Sequence, residues 1–167
     1  MKLQYLVLSN IGPFLGAHTI DLTTKKNTTG YAFFADNGRG KTTIYNAMKW
    51  CLFGEVKTRV RAARGAKINS TIRPIIGKQE DEPLMNYTCY ETDRTPEMQV
   101  ILIAEGSQGK IQVTRTARVT RGAKRKDDHI VNELLVEHGE NKTSNLSEGE
   151  EMIQNFFPSS LQQFFFK

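Results

Sequence analysis

Apolar and polar positions alternate with two different periods along the chain. Lys2 to Ser9 alternates loosely and is rich in Leu, Val and Tyr, which predicts a strand. Asn10-Ile11-Gly12-Pro13 predicts a turn. Ala17 to Leu22 predicts a second strand, hairpin-paired with the first, with His18, Ile20 and Leu22 on one face and Ala17, Thr19 and Asp21 on the other. Thr23 to Gly30 is polar and loop-like. Tyr31 to Ala35 is continuously apolar, the pattern of a short strand buried on both faces. Further on, Met98 to Glu105, Lys110 to Val119 and Ile130 to His138 alternate again. Glycine-bearing turns and the basic stretch Arg121 to Asp128 separate them, so an antiparallel meander is expected. In the middle strand Ile111, Val113 and Arg115 fall on one face.

Two stretches carry the longer period. From Thr42 to Phe53, residues Ile44, Ala47, Met48, Cys51 and Leu52 recur at helical spacing as one core-facing stripe, and Gly54 ends the run. Ser147 to Phe156 reads as a short helix with Ser147 as N-cap and Glu150 completing a capping box, broken by Pro158. Leu161 to Phe166 is apolar again. Glu55 to Pro96 has weak periodicity and many charges. It is too long for a plain loop, so short helical or extended pieces are expected within it.

Between the third apolar run and the first helix lies Asp36-Asn37-Gly38-Arg39-Gly40-Lys41-Thr42-Thr43. Strand, glycine loop and a helix opening on Lys-Thr is the arrangement of a phosphate-binding P-loop. Glycines let backbone N–H groups turn inward around phosphates, and the helix N-terminus adds its positive dipole end. Lys41 is placed to reach the β- and γ-phosphates, and the Thr42 hydroxyl to ligate Mg²⁺. Ala35 stands where the strict motif has its first glycine. The other glycines, Gly38 and Gly40, remain where anion-facing amides are needed.

Composition narrows the class. The 167 residues amount to about one domain. Mean hydropathy is -0.47, and no apolar run approaches the roughly 20 residues that span a bilayer, so a cytoplasmic protein with no membrane partner is expected. Cys51 and Cys89 form no metal-ligand pattern, and Cys51 reads as a small core residue. His18, His129 and His138 are scattered. The net charge of +5 is compatible with nucleic acid without being diagnostic. The charge gathers in Lys57, Arg59, Arg61, Arg64 and Lys67, and again in Arg115, Arg118, Arg121, Lys124, Arg125 and Lys126. Each cluster reads either as a solubilising loop or as phosphate contacts, to a nucleotide or to a DNA backbone. On the second reading, neutralising Arg121, Lys124 and Arg125 would weaken DNA binding.

Taken together, these elements resemble the N-terminal lobe of an SMC-like ABC ATPase head, the group that includes the SMC proteins, the ATPase of the Mre–Rad complex, RecF and RecN. Met1-Lys2-Leu3 with Leu6 to Phe14 resembles their first strand and turn, Ala35 to Thr43 their glycine loop, and Ile44 to Gly54 the helix that follows. Within the group, Gly12-Pro13-Phe14 and Pro158 to Phe166 are most similar to the ATPase of DNA phosphorothioation systems, DndD. The resemblance implies an α/β lobe with a mixed sheet, its antiparallel meander packed on the P-loop helix. It implies that the amides of Asn37, Gly38, Arg39 and Gly40 cradle the phosphates of ATP. Lys41 would bind the β- and γ-phosphates, Thr42 would ligate Mg²⁺ and Thr43 would contact the α-phosphate. Many relatives carry a nucleotide-touching basic residue in the first turn; this chain has Gly12 and Pro13 there, and the basic segment Arg59 to Lys67 is an alternative source.

The resemblance implies that the catalytic carboxylate lies outside these residues, so none is expected within them. Residues 1–167 are accordingly expected to be one lobe of a composite site, weak in hydrolysis by itself. A second ATPase head, DNA and other subunits of a DNA-modification or repair complex are the implied partners. Two other readings stay open: a transporter-type ABC subunit, and a non-catalytic DNA- or protein-binding module with a degenerate nucleotide site. A GTPase would need Asn-Lys-x-Asp, and Asn141-Lys142-Thr143-Ser144 lacks the acid.

Overall fold

The computed structural model describes residues 1–24, 32–34, 36–60, 69–79 and 82–157, with the backbone alone for 57–60, 69 and 70. The strands are β1 (Lys2–Ile11), β2 (Phe14–Asp21), β3 (Lys57–Val60), β4 (Asn69–Ile72), β5 (Glu97–Gly106), β6 (Gly109–Thr120), β7 (His129–His138) and β8 (Asn141–Thr143). The helices are α1 (Lys41–Phe53), α2 (Tyr87–Thr92) and α3 (Leu146–Phe156). Six strands form one sheet in the order β2-β1-β5-β6-β7-β8, and β3 pairs with β4 apart from it. Every described pairing is antiparallel.

The register lines up the apolar positions in rows. Leu6 faces Leu102, Leu102 faces Val113, and Val113 faces Val136. The next row runs Leu8, Val100, Arg115, Leu134. All of these side chains are buried. Each aliphatic one contributes on the order of 1.5–3 kcal/mol through burial, so a slip of one residue would turn the whole set to solvent. Helix α1 lies across β1, β5 and β6, and α3 packs on β7 and touches α1. The expected α/β lobe, a meander seated on the helix after the glycine loop, is the architecture observed, but among the described residues its sheet is antiparallel rather than mixed.

Four local expectations need correction. First, the buried face of α1 is Asn46, Ala47, Trp50, Cys51 and Leu52, while Ile44 and Met48 are only half-buried. The stripe is turned toward Trp50, whose indole is the largest fully buried side chain. Second, the N-cap of α3 is Asn145, whose side-chain oxygen accepts from the N–H groups of Ser147 and Glu148. Glu148 accepts instead from the Thr143 hydroxyl at 2.7 Å. The Ser147–Glu150 box therefore does not form: the helix is capped two residues earlier, which puts Ser147 inside its first turn with its N–H already bonded to Asn145.

Third, Ala32–Phe34 forms no strand, and Phe34 is 92% exposed. A strand buried on both faces needs neighbours and cover. The described sheet has its edges at β2 and β8 and offers this segment neither. Tyr31 and Ala35 lie outside the described residues, as do Arg61, Arg64, Lys67 and the run from Pro158 to Lys167; for Lys57 and Arg59 only the backbone is described.

Fourth, the second basic cluster is largely committed within the fold. Arg115 is buried. Arg118 pairs with Glu97 at 2.8 Å and Glu133 at 3.2 Å. Arg121 pairs with Asp128 at 2.8 Å, and Arg125 with Glu91 at 3.0 Å. Both guanidinium groups sit over the Tyr90 ring, 4.7 and 4.9 Å from its centroid, and both donate to the Tyr90 carbonyl. Burial works to raise the Asp128 carboxyl, but bonds from the Gly122 N–H, Arg121 and the Tyr90 hydroxyl outweigh it and hold it below the usual carboxylate range. Arg121 and Arg125 thus fasten α2 to the segment before β7, and of the trio assigned to DNA, Lys124 alone makes no such tie among the described residues.

The segment from Arg73 to Asn86, the least legible stretch, is tied to the β1–β2 turn. Leu84 N–H donates to the Pro74 carbonyl and Met85 N–H to that of Ile75, both at 2.9 Å. Gly12 N–H donates to the Leu84 carbonyl at 2.8 Å, and the Asn86 side chain donates to the Gly12 carbonyl at 2.7 Å. Asn10 enters the turn at φ 53, a left-handed angle that Asn tolerates better than most residues, and its side chain bonds the Glu97 carbonyl and the Gly16 N–H.

Candidate phosphate-binding site

The β1–β2 turn, the glycine loop and the Arg73–Glu82 stretch meet at the start of α1. Gly40 is the N-cap, at φ 90, and the Ile44 N–H donates to its carbonyl at 2.9 Å. No side chain caps this end, and the first turn carries no acid. The N–H groups of the first turn have no partner inside a helix, and the dipole leaves partial positive charge there. An uncapped, acid-free N-terminus on a glycine loop is suited to an anion.

The loop is held from behind by the β1–β2 turn. A Cβ on Gly40 would lie 2.9 Å from the Phe14 ring and 3.2 Å from Pro13, and one on Gly12 would lie 2.6 Å from the Thr43 side chain. Pro13 and Phe14 therefore press on the loop, and the left-handed angle and the close approach at Gly40 both exclude a side chain. On the other side the loop opens into a cavity of ≈ 370 Å³ lined by Pro13, Asn37, Gly38, Gly40, Lys41, Thr42, Thr43, Arg73 and Glu82. Lys41 Nζ lies across the loop and donates to the Asp36 carbonyl at 2.9 Å. Of the residues singled out from the sequence, Asn37, Gly38, Gly40, Lys41, Thr42 and Thr43 share this cavity, while Arg39 is exposed and not part of its lining. Pro13, Arg73 and Glu82 are additions. Arg73 and Glu82 come from a stretch without periodicity, and bonds to residues distant in the chain, among them those to Gly12, bring them here.

A larger cavity, ≈ 860 Å³, lies at the opposite end of α1, among Gly54, Arg115, Arg118, Glu133 and Glu150. It has no glycine loop, the α3 N-terminus at its edge is already capped by the Asn145 side chain, and acids accompany its two arginines, so volume does not make it the phosphate site. Its chemistry is that of a helix end. Gly54 closes α1 at φ 74, and Arg115 Nε donates to the Cys51 carbonyl at 2.9 Å, a cation placed at the negative end of the helix. Burial pulls the Arg115 guanidinium below its usual range, opposed by Cys51 and Glu150. Burial likewise pushes the Cys51 thiol up to about 12, so Cys51 is a packed, protonated side chain at neutral pH. Arg115 thereby ties β6 to the helix that begins at Lys41.

A family profile described as an AAA domain matches residues 5–167. The chain belongs to the AAA-domain family. Among curated proteins, this AAA domain is similar to the C subunit of the nuclease SbcCD from Treponema pallidum (strain Nichols), 39% identical over 70 residues, which are 40% of this chain and 6% of the relative. The protein of the same name from Staphylococcus aureus (strain JH9) is 39% identical over 61 residues, 36% of this chain and 6% of its own length. The matched part is thus a small fraction of either relative. Among the described residues of the AAA domain, no helix is long and apolar enough to cross a membrane.

Proposed function

We propose that this AAA domain is the N-terminal, nucleotide-binding lobe of an SMC-like ATPase that acts on DNA. The observation that carries the reading is the start of α1, uncapped and free of acids, behind Gly40 and opening with Lys41 into one cavity. The similarity to part of a nuclease supports DNA as the substrate class. ATP would place its phosphates over the loop amides of Asn37, Gly38, Arg39 and Gly40 and the first turn of α1. Lys41 would exchange the Asp36 carbonyl for the β- and γ-phosphates. Mg²⁺, when bound, neutralises phosphate charge; Thr42 would hold it through its hydroxyl, and Thr43 would contact the α-phosphate.

Residues 1–167 hold the phosphate cradle, and the hydrolytic carboxylate would come from a C-terminal lobe, completed across a dimer by a second head. Because Arg121 and Arg125 are committed to Tyr90 and acids, DNA contacts would lie outside that segment. The narrower assignment, to the ATPases of DNA sulfur modification, rests on the Gly12-Pro13-Phe14 turn, whose Pro13 and Phe14 buttress the loop.

The test is made on the full-length protein. ATP turnover should rise when double-stranded DNA is added and lose that rise as salt is increased. Sedimentation should show a dimer with MgATP and not with ADP. Turnover indifferent to DNA, together with one sedimentation pattern under both nucleotides, would refute the proposal.

A further inference from the structure

Lys41 is not the only cation in the phosphate cavity. Arg73 follows directly on β4, and its N–H donates to the Val56 carbonyl at 2.8 Å. Its side chain is only 16% exposed. Nε donates to the Glu82 carbonyl, and Nη2 lies 3.6 Å from Glu82 Oε2. That second distance is an ion pair but not a hydrogen bond. Glu82 is 80% exposed and sits at φ 47, an angle a glutamate rarely adopts. Both residues line the cavity with Lys41 and Thr42.

Backbone hydrogen bonds set the placement. The Leu84–Pro74 and Met85–Ile75 bonds join the two ends of the stretch that carries them, and the Leu84 carbonyl holds the Gly12 N–H. Gly12 packs on Thr43, so Arg73 is held in register with the start of α1.

We infer that Arg73 is a second phosphate-binding cation of this site, and that Glu82 is the anion it holds until a polyphosphate arrives. A polyphosphate tail carries several negative charges and Lys41 supplies one positive charge. A guanidinium matches phosphate oxygens through paired N–H groups, whereas its pairing with an exposed carboxylate at 3.6 Å is weak. The exchange moves a charged partner out of the cavity without moving the backbone, because the Nε bond runs to the Glu82 carbonyl. The inference rests on the reading of the loop as a nucleotide site and adds a residue to it.

Calorimetric titration of the full-length protein with MgATP, and separately with magnesium tripolyphosphate, tests it. Arg73→Gln should weaken both probes by about tenfold to a hundredfold, as expected for the loss of one charge-assisted contact, and Arg73→Lys should recover part of the loss. Glu82→Gln should tighten both probes severalfold, a direction that damage to the fold would not produce. Wild-type affinity in Arg73→Gln alongside lost binding in Lys41→Ala would overturn the role of Arg73 and leave the nucleotide site standing. Weaker binding in Glu82→Gln would overturn the exchange. Unchanged binding in Lys41→Ala would instead remove the nucleotide reading on which it rests.

Discussion

Gly40→Val is expected to abolish MgATP binding and to lower the melting temperature. Gly40 holds φ 90, where a non-glycine residue costs on the order of 1–3 kcal/mol and a β-branched one is worst placed. The new Cβ would also sit 2.9 Å from the Phe14 ring, so either the β1–β2 turn or the loop must retreat. A loss of about 3 kcal/mol corresponds to roughly 6–12 °C in a domain of this size. The turn also carries Pro13 into the cavity, so its retreat deforms the phosphate cradle as well. Gly38→Ala separates the two causes: at φ 80 it bears the backbone cost, but nothing lies within 4 Å of its Cβ. Melting curves with and without MgATP should show a small drop for Gly38→Ala, a large one for Gly40→Val, and a nucleotide-induced shift missing from the latter. A Gly40→Val protein that melts and binds as wild type would show that the loop and the turn are not in contact.

Trp50→Ala is expected to have the largest effect on stability, about 3–5 kcal/mol by denaturant titration. Trp50 is 1% exposed and is the largest side chain that α1 buries in the core between helix and sheet. Its Nε1–H is buried and meets no acceptor among the described residues. Trp50→Phe keeps most of the apolar volume and removes that unsatisfied donor, so its cost should be well below that of alanine. Equal losses for the two variants would mean that the indole is not packed as described. The functional consequence follows from position: α1 carries Lys41 and Thr42 at its start, and an unseated helix cannot present them.

The sheet was legible because its alternation is locally complete. Val100, Leu102 and Ala104, then Ile111, Val113 and Arg115, declare one buried face without reference to anything distant, and even the buried arginine falls in phase. The glycine loop was legible for the same reason, since Gly38, Gly40, Lys41 and Thr42 are close in sequence. What stayed hidden depends on long-range partners. Trp50 joins the buried face of α1 because the sheet leaves room there, whereas the periodic stripe through Ile44 and Met48 fits the helix alone. Ser147 and Glu150 have the spacing of a capping box, yet Asn145 outcompetes them. Arg73 and Glu82 carry no signal, because the bonds that bring them to the loop join Leu84 and Asn86 to Gly12, far apart in the chain. Arg121 and Arg125 read as a basic patch until Tyr90, Glu91 and Asp128 are seen beneath them.

The central claim is that the cavity at the start of α1 binds the phosphates of a nucleotide through Lys41. Titration of the full-length protein with MgATP, wild type beside Lys41→Ala, tests it most directly. Saturable binding by the wild type that is lost in Lys41→Ala, with an unchanged melting curve for the free protein, is the result expected. Equal affinity in the two proteins, or no binding by either, would contradict it.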